Sequence, residues 1–158
     1  MLTVNLICVG KLKEKYLLAA VGEYTKRLGA FCRLVITEVA ETAIPKEPSG
    51  AEITAALRSE YAKMEIPPRS AVCALCIEGK QLSSEELAIW LESLATSGVS
   101  QVTFIIGGSN GLSAELKSRA DHRLSMSKMT FPHHLARVML LEQIYRAYMI
   151  NAGTRYHK

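Results

Sequence analysis

The residues best suited to chemistry lie in the last third of the chain. Gly107-Gly108-Ser109-Asn110-Gly111 follows the apolar run Val102 to Ile106. A second string, Leu124-Ser125-Met126-Ser127-Lys128-Met129-Thr130-Phe131-Pro132-His133-His134, comes shortly after. Both loops leave strand-like runs. Open α/β sheets take ligands at the carboxyl ends of their strands, and glycines there let a ligand approach bare backbone. Two such loops close in sequence imply one pocket made largely of backbone. The spacing GGxxG is not the dinucleotide fingerprint GxGxxG, so a Rossmann site is not indicated.

The polar candidates follow. Glu142 and Arg146 stand four apart with the acid first, the favourable order for an ion pair, and they interrupt an apolar helix. On a solvated helix such a pair is ordinary, whereas in a buried helix it is costly unless well bonded. Arg155-Tyr156-His157-Lys158 combines cations, a ring able to stack on a base and an imidazole that titrates near neutrality. Its plain reading is a frayed end. With Lys11, Lys13 and Lys15 it would make a basic rim for RNA phosphates. His133 and His134 are adjacent, so on a helix they do not share a face. Only His122 and His157 remain as histidines, and no metal site is expected. His133 faces a pocket or solvent. Cys73 and Cys76 form a CxxC on a strand, where residues three apart point to opposite faces, so they read as core thiols. Gly79-Lys80 lacks the upstream glycine and the following Ser or Thr of a phosphate loop and reads as a turn.

The elements that must position these groups are legible from periodicity. Strands are expected over Thr3 to Val9, Cys32 to Val39, Ser70 to Ile77, Gln101 to Ile106 and His122 to Met126. Helices are expected over Lys13 to Leu28, Ala51 to Met64, Ser83 to Thr96 and Ser113 to Ala120. Ser83 with Glu86 makes a capping box. A last helix runs from Leu135 to Ile150, with Thr130 as its cap and Pro132 in its first turn. The βα alternation predicts an α/β fold, a mostly parallel sheet with helices on both faces, in a single domain over 1–158. The last helix has almost no polar face, so it is buried on more than one side. A second copy of the chain or its own core would supply the cover.

Composition bounds the reading. The chain has 158 residues, 49% hydrophobic and 22% charged, with a net charge of +4. That is ordinary globular material, mildly basic and short of an obvious polyanion binder. No apolar run approaches the roughly 18 residues that would span a bilayer, so no membrane partner is expected. The start lacks a basic n-region, which points to the cytoplasm. Four cysteines without an export signal read as buried, reduced thiols.

These strings resemble one family. Phe104-Ile105-Ile106-Gly107-Gly108 with Gly111-Leu112-Ser113 is similar to its first signature, and Leu124 to His133 to its second. Arg137, Leu141-Glu142-Gln143 and Tyr145-Arg146-Ala147 match its last helix, and Tyr156-His157-Lys158 its end. The opening Ile7-Cys8-Val9-Gly10-Lys11 matches too. The family is the ribosomal large-subunit RNA pseudouridine N3-methyltransferases of the SPOUT superfamily. Thr154-Arg155 stand where that family carries a small residue or proline. The resemblance implies a SPOUT-type α/β fold with a C-terminal trefoil knot and a homodimer. It implies S-adenosylmethionine as methyl donor, with no metal, and 23S rRNA within the ribosome as partner. The donor pocket would comprise Leu75, Gly107, Gly108, Met126, Ser127, Lys128, Met129, Thr130 and Phe131. The substrate would meet Tyr156, Arg155, Lys158 and His133.

Chemistry then assigns roles to the matched residues. N3 of pseudouridine carries a proton at neutral pH, so a base or a cation for the deprotonated ring is needed. His157 is the expected proton acceptor, Arg146 the cation and Glu142 its orienting partner, with Tyr156 stacking on the base. Two other readings compete: a non-catalytic, ribosome-associated RNA-binding module on the same fold, and a nucleotide-binding α/β enzyme acting on a small molecule.

Overall fold

The computed structural model describes residues 1–158. Ten elements alternate along the chain: β1 (Thr3–Val9), α1 (Lys15–Leu28), β2 (Arg33–Val39), α2 (Gly50–Ala62), β3 (Ala71–Gln81), α3 (Ser84–Thr96), β4 (Gln101–Ile106), α4 (Ala114–Arg119), β5 (His122–Ser125) and α5 (His133–Asn151). All five strands are parallel, in the order β2-β1-β4-β3-β5. Parallel strands buried on both faces need apolar side chains on both faces, and the central strands supply them. Val4, Leu6 and Cys8 of β1 with Val102, Phe104 and Ile106 of β4 pack beneath α1, α3 and α5. The alternate residues Ile7, Ile105, Val72 and Ala74 join a smaller core with Leu116 of α4 and Tyr61 of α2.

Local chemistry sets most helix starts. Ser49, Ser83 and Ser113 cap α2, α3 and α4, the first two in full capping boxes with Glu52 and Glu86. The last helix departs from expectation. Thr130 does not cap it. Pro132 occupies the N-cap position without a side-chain cap bond, and the helix begins at His133. Proline holds φ near the helical value but has no side-chain acceptor.

Strand β5 lies at one edge of the sheet, yet α5 packs between α1 and α3 over its centre, where Leu140, Leu141, Ile144 and Ala147 are fully buried. The loop 126–132 must therefore carry the chain back across the carboxyl ends of the strands. One chain already covers most of α5. Even Met149 is 7% exposed, while Leu135 in the first turn is 39% exposed. No helix is long and apolar enough to cross a membrane. All four cysteines are free, and Cys8, Cys32 and Cys73 are buried. Burial pushes the Cys8 and Cys73 thiols up to about 12, which keeps them unreactive. Cys76 departs from the expected burial and is only partly covered.

Candidate active site

Strand β3 is longer than its apolar run predicts because it contains a bulge. Leu75 and Lys80 both pair with Leu124 of β5, so residues 76–79 loop out of the ladder. Gly79 permits this: a Cβ there would stand 2.7 Å from the Leu124 carbonyl carbon and 2.8 Å from that of Arg123. At the end of β4, Gly108 and Gly111 bridge each other, with the Gly111 N–H donating to the Gly108 carbonyl at 3.1 Å. Gly111 has φ +79°, and a Cβ on Gly107 would collide with the Gly111 backbone. The third wall is the loop after β5. Ser125 Oγ donates to the Ser127 carbonyl at 3.0 Å, and the Met129 N–H donates to Ser127 Oγ at 3.0 Å.

The bulge, the glycine turn and this loop enclose a cavity of about 710 Å³ at the carboxyl ends of β3, β4 and β5, within the ~300–1,000 Å³ usual for small-molecule sites. Of the residues that the resemblance assigns to a donor pocket, Leu75, Gly107, Gly108, Met126, Ser127, Met129, Thr130 and Phe131 line this cavity. Lys128 does not: it is exposed and outside the lining. His133, expected on the substrate side, lines this same cavity. Burial, then the nearby His134, holds its imidazole below the usual histidine value and so neutral. Sequence reasoning missed Cys76, Ile77, Glu78 and Lys117 in the lining. Lys117 and Glu78 pair at 2.6 Å. A glycine inside a strand pattern is the signal of a bulge, and Gly79 carried it.

Glu142, Arg146, Tyr156 and His157 come together, but beside this cavity rather than in it. Arg146 bonds Glu142 at 2.6 Å through Nη2 and 2.8 Å through Nε. Its guanidinium carbon lies 4.8 Å from the centre of the Tyr156 ring, and Tyr156 Oη donates to Glu142 Oε1 at 3.3 Å. His157 Nδ1 is 3.2 Å from Arg146 Nη1, and Nε2 is 2.6 Å from Glu85 Oε1. Arg146 can only donate, so Nδ1 accepts and the hydrogen sits on Nε2, facing Glu85. Glu85 was not anticipated, being 72 residues away in sequence. Arg155 and Lys158 are exposed and take no part in this network. Glu142 lines a second recess of about 550 Å³, and the two recesses share Leu124, Ser125 and Met126 as a common wall.

An all-parallel α/β sheet with a backbone-lined cavity at its strand ends, walled by a returning C-terminal loop, defines a class of small-ligand enzymes. Comparisons place the chain within it. Residues 2–157 match the family model described as "Predicted SPOUT methyltransferase". The chain is 53% identical over 158 residues to the ribosomal RNA large subunit methyltransferase H of Bifidobacterium adolescentis, covering 98% of this chain and 99% of that one. It is 48% identical to the protein of the same name from Ligilactobacillus salivarius, covering 99% and 100%. Among solved structures it resembles a "probable methylase family protein" of Haemophilus influenzae, with TM-score 0.55 and 10% identity over 98% of this chain and 70% of that one. It also resembles a tRNA methyltransferase of Aquifex aeolicus, with TM-score 0.51 and 12% identity over 90% and 69%. At that identity the likeness is one of fold. The chain belongs to the SPOUT methyltransferase family.

Proposed function

We propose that this chain transfers a methyl group from S-adenosylmethionine to N3 of a pseudouridine in 23S ribosomal RNA, working in the cytoplasm as a homodimer. The observation that carries the reading is near-complete coverage at about half identity to proteins named as large-subunit RNA methyltransferases. The cavity supports it. Side chains at Gly107 or Gly79 would intrude on neighbouring backbone, and the lining offers the backbone and apolar atoms that an adenosine and a thioether-like chain need. Leu75, the Gly107-Gly108 turn and the loop 126–131 would hold the donor. When bound, it supplies a methyl carbon already activated by its sulfonium, so no Lewis acid is required.

The chain's own work is alignment and proton removal. Arg146, fixed by Glu142, provides a cation for the deprotonated ring. Tyr156 offers a stacking surface, with Arg155 and Lys158 free for phosphates. His157 accepts the N3 proton. In the geometry seen here its two nitrogens are held by Glu85 and Arg146, so it acts only after one of those bonds is exchanged for substrate. The return of the chain from the edge strand to the sheet centre suits a threaded, trefoil-knotted C-terminal segment. Exposed Tyr16, Leu18 and Leu135 on the first turns of α1 and α5 suit a dimer contact on those helices.

The test is direct. Purified protein, S-adenosylmethionine and ribosomal particles lacking the modification are incubated, and the large-subunit RNA is mapped by mass. A single added methyl on a pseudouridine is expected. Ribosome binding without methyl transfer would remove the catalytic reading.

A further inference from the structure

The loop between β1 and α1 carries cations that the donor cavity does not use. Lys11 and Lys13 flank Leu12, and Lys15 opens α1. All three are exposed, and none forms an ion pair. The loop beneath them is pinned. Leu12 is 4% exposed, its N–H donates to Glu38 Oε2 at 2.8 Å, and the Gly10 N–H donates to the Val39 carbonyl at 2.8 Å. Arg137 of α5, almost fully buried, bonds Glu38 at 2.6 Å and the Gly10 carbonyl at 3.1 Å. The nearby carboxylates make their closest contacts to other groups: Glu38 to Arg137, Glu14 to His134 Nδ1 at 3.7 Å, and Glu41 to the Ser109 N–H at 3.5 Å.

The three cations form a locally basic patch without an ion-pair partner. A lysine in the first turn of a helix opposes the helix dipole. The starts of α2, α3 and α4 carry Glu52, Glu85 with Glu86, and Glu115, whereas α1 has no acid in its first turn and only Glu14 at its N-cap. The loop also adjoins the donor cavity, because His133, which lines it, lies 3.8 Å from where a Gly10 side chain would begin.

We propose that Lys11, Lys13 and Lys15 form a rigid phosphate-contacting rim that holds the RNA strand leading into the active site. Lys11 and Lys13 are two residues apart, about 7 Å along an extended backbone, a step commensurate with neighbouring phosphates of one strand. Their recognition is of charge and spacing, not of base identity. The inference rests on the rRNA reading above and adds which surface the RNA backbone meets.

Binding to purified ribosomal particles is measured across a potassium chloride series, for wild type and for Lys11→Gln/Lys13→Gln/Lys15→Gln. Each lost phosphate contact removes about 0.7–0.9 from the slope of log affinity against log salt, so the triple variant's slope is expected to fall by about 2–3. Calorimetric donor affinity and melting temperature should match wild type. Lys26→Gln/Lys46→Gln serves as a charge control elsewhere on the surface. An unchanged slope in the triple variant, or an equal loss per charge in the control, overturns the rim. Wild-type protein that ignores ribosomal particles at every salt concentration instead removes the rRNA reading, and the rim with it.

Discussion

The cavity at the strand ends and the C-terminal tail are built on opposite principles. The cavity is walled by turns whose backbone shape is over-determined. Gly79 and Gly107 abut neighbouring main chain, Ser125 and Ser127 close their loop internally, and the Gly108–Gly111 turn bonds to itself. The tail is made of side chains joined by polar contacts: Tyr156 to Glu142, and His157 to Arg146 and Glu85. The lesson is a division of labour. On the proposed function, a ligand of constant shape would be served by the preformed cradle and a macromolecular substrate by groups that can exchange partners.

Breaking the cradle should have the largest effect. Gly107→Val places a branched side chain against the Gly111 backbone and should leave no donor binding measurable by calorimetry. Gly108 is a gentler site, since a Cβ there meets the movable Glu41 carboxylate at 2.8 Å. Gly108→Ala should therefore retain weakened binding. Equal donor affinity in all three proteins would show that the turn is not part of the donor site.

Deleting Tyr156 to Lys158 should reverse the pattern, sparing donor affinity and stopping transfer. His157→Ala alone should lower single-turnover methylation by about 10²–10⁴, the usual contribution of a general base. Tyr156→Ala should instead weaken particle binding by about 1–3 kcal/mol, as for a lost stacking contact. A truncated enzyme with wild-type turnover would send the search for the base to His133 or Glu142.

The anchor on the cradle side comes next. Glu38→Ala leaves Arg137 buried without its partner. It should cost about 2 kcal/mol in denaturant unfolding, below the ~3–5 kcal/mol of a fully buried pair because Glu38 is partly solvated. Burial raises the Glu38 carboxyl, but the Arg137 bond and the Leu12 N–H outweigh it and hold the group below its ordinary 4.5. Its stabilisation is thus present above 4.5 and is lost as pH falls through the lower folded value. Glu38→Ala should flatten that acid limb, and an unaltered limb would discard the assignment.

The smallest effect is expected at Glu85. Its carboxyl is held below the ordinary 4.5 chiefly by the His157 hydrogen bond, so the contact persists above that value and fades as pH drops through the folded one. Glu85→Gln should leave melting unchanged yet speed carboxypeptidase trimming of the tail. Trimming at the wild-type rate would mean that Glu85 does not hold the tail.

The sequence by itself determined the parallel α/β alternation, because apolar periodicity and caps act within a few residues. The bounds of β1 and β4 and the Ser83–Glu86 box were legible for that reason. Its two loop signatures also located most of the cavity lining. Other features answer to long-range packing. The bulge in β3 arises because Leu75 and Lys80 share Leu124 as partner, a register no local pattern records. The start of α5 at His133, the exclusion of Lys128 from the cavity and the placing of His133 within it depend on how loop 126–132 crosses the sheet. Only the tertiary structure brings Glu85 to His157 and Glu38 to Arg137. Those contacts join residues 72 and 99 positions apart, and chain closure over such distances is decided by the packed core, which holds both ends in place.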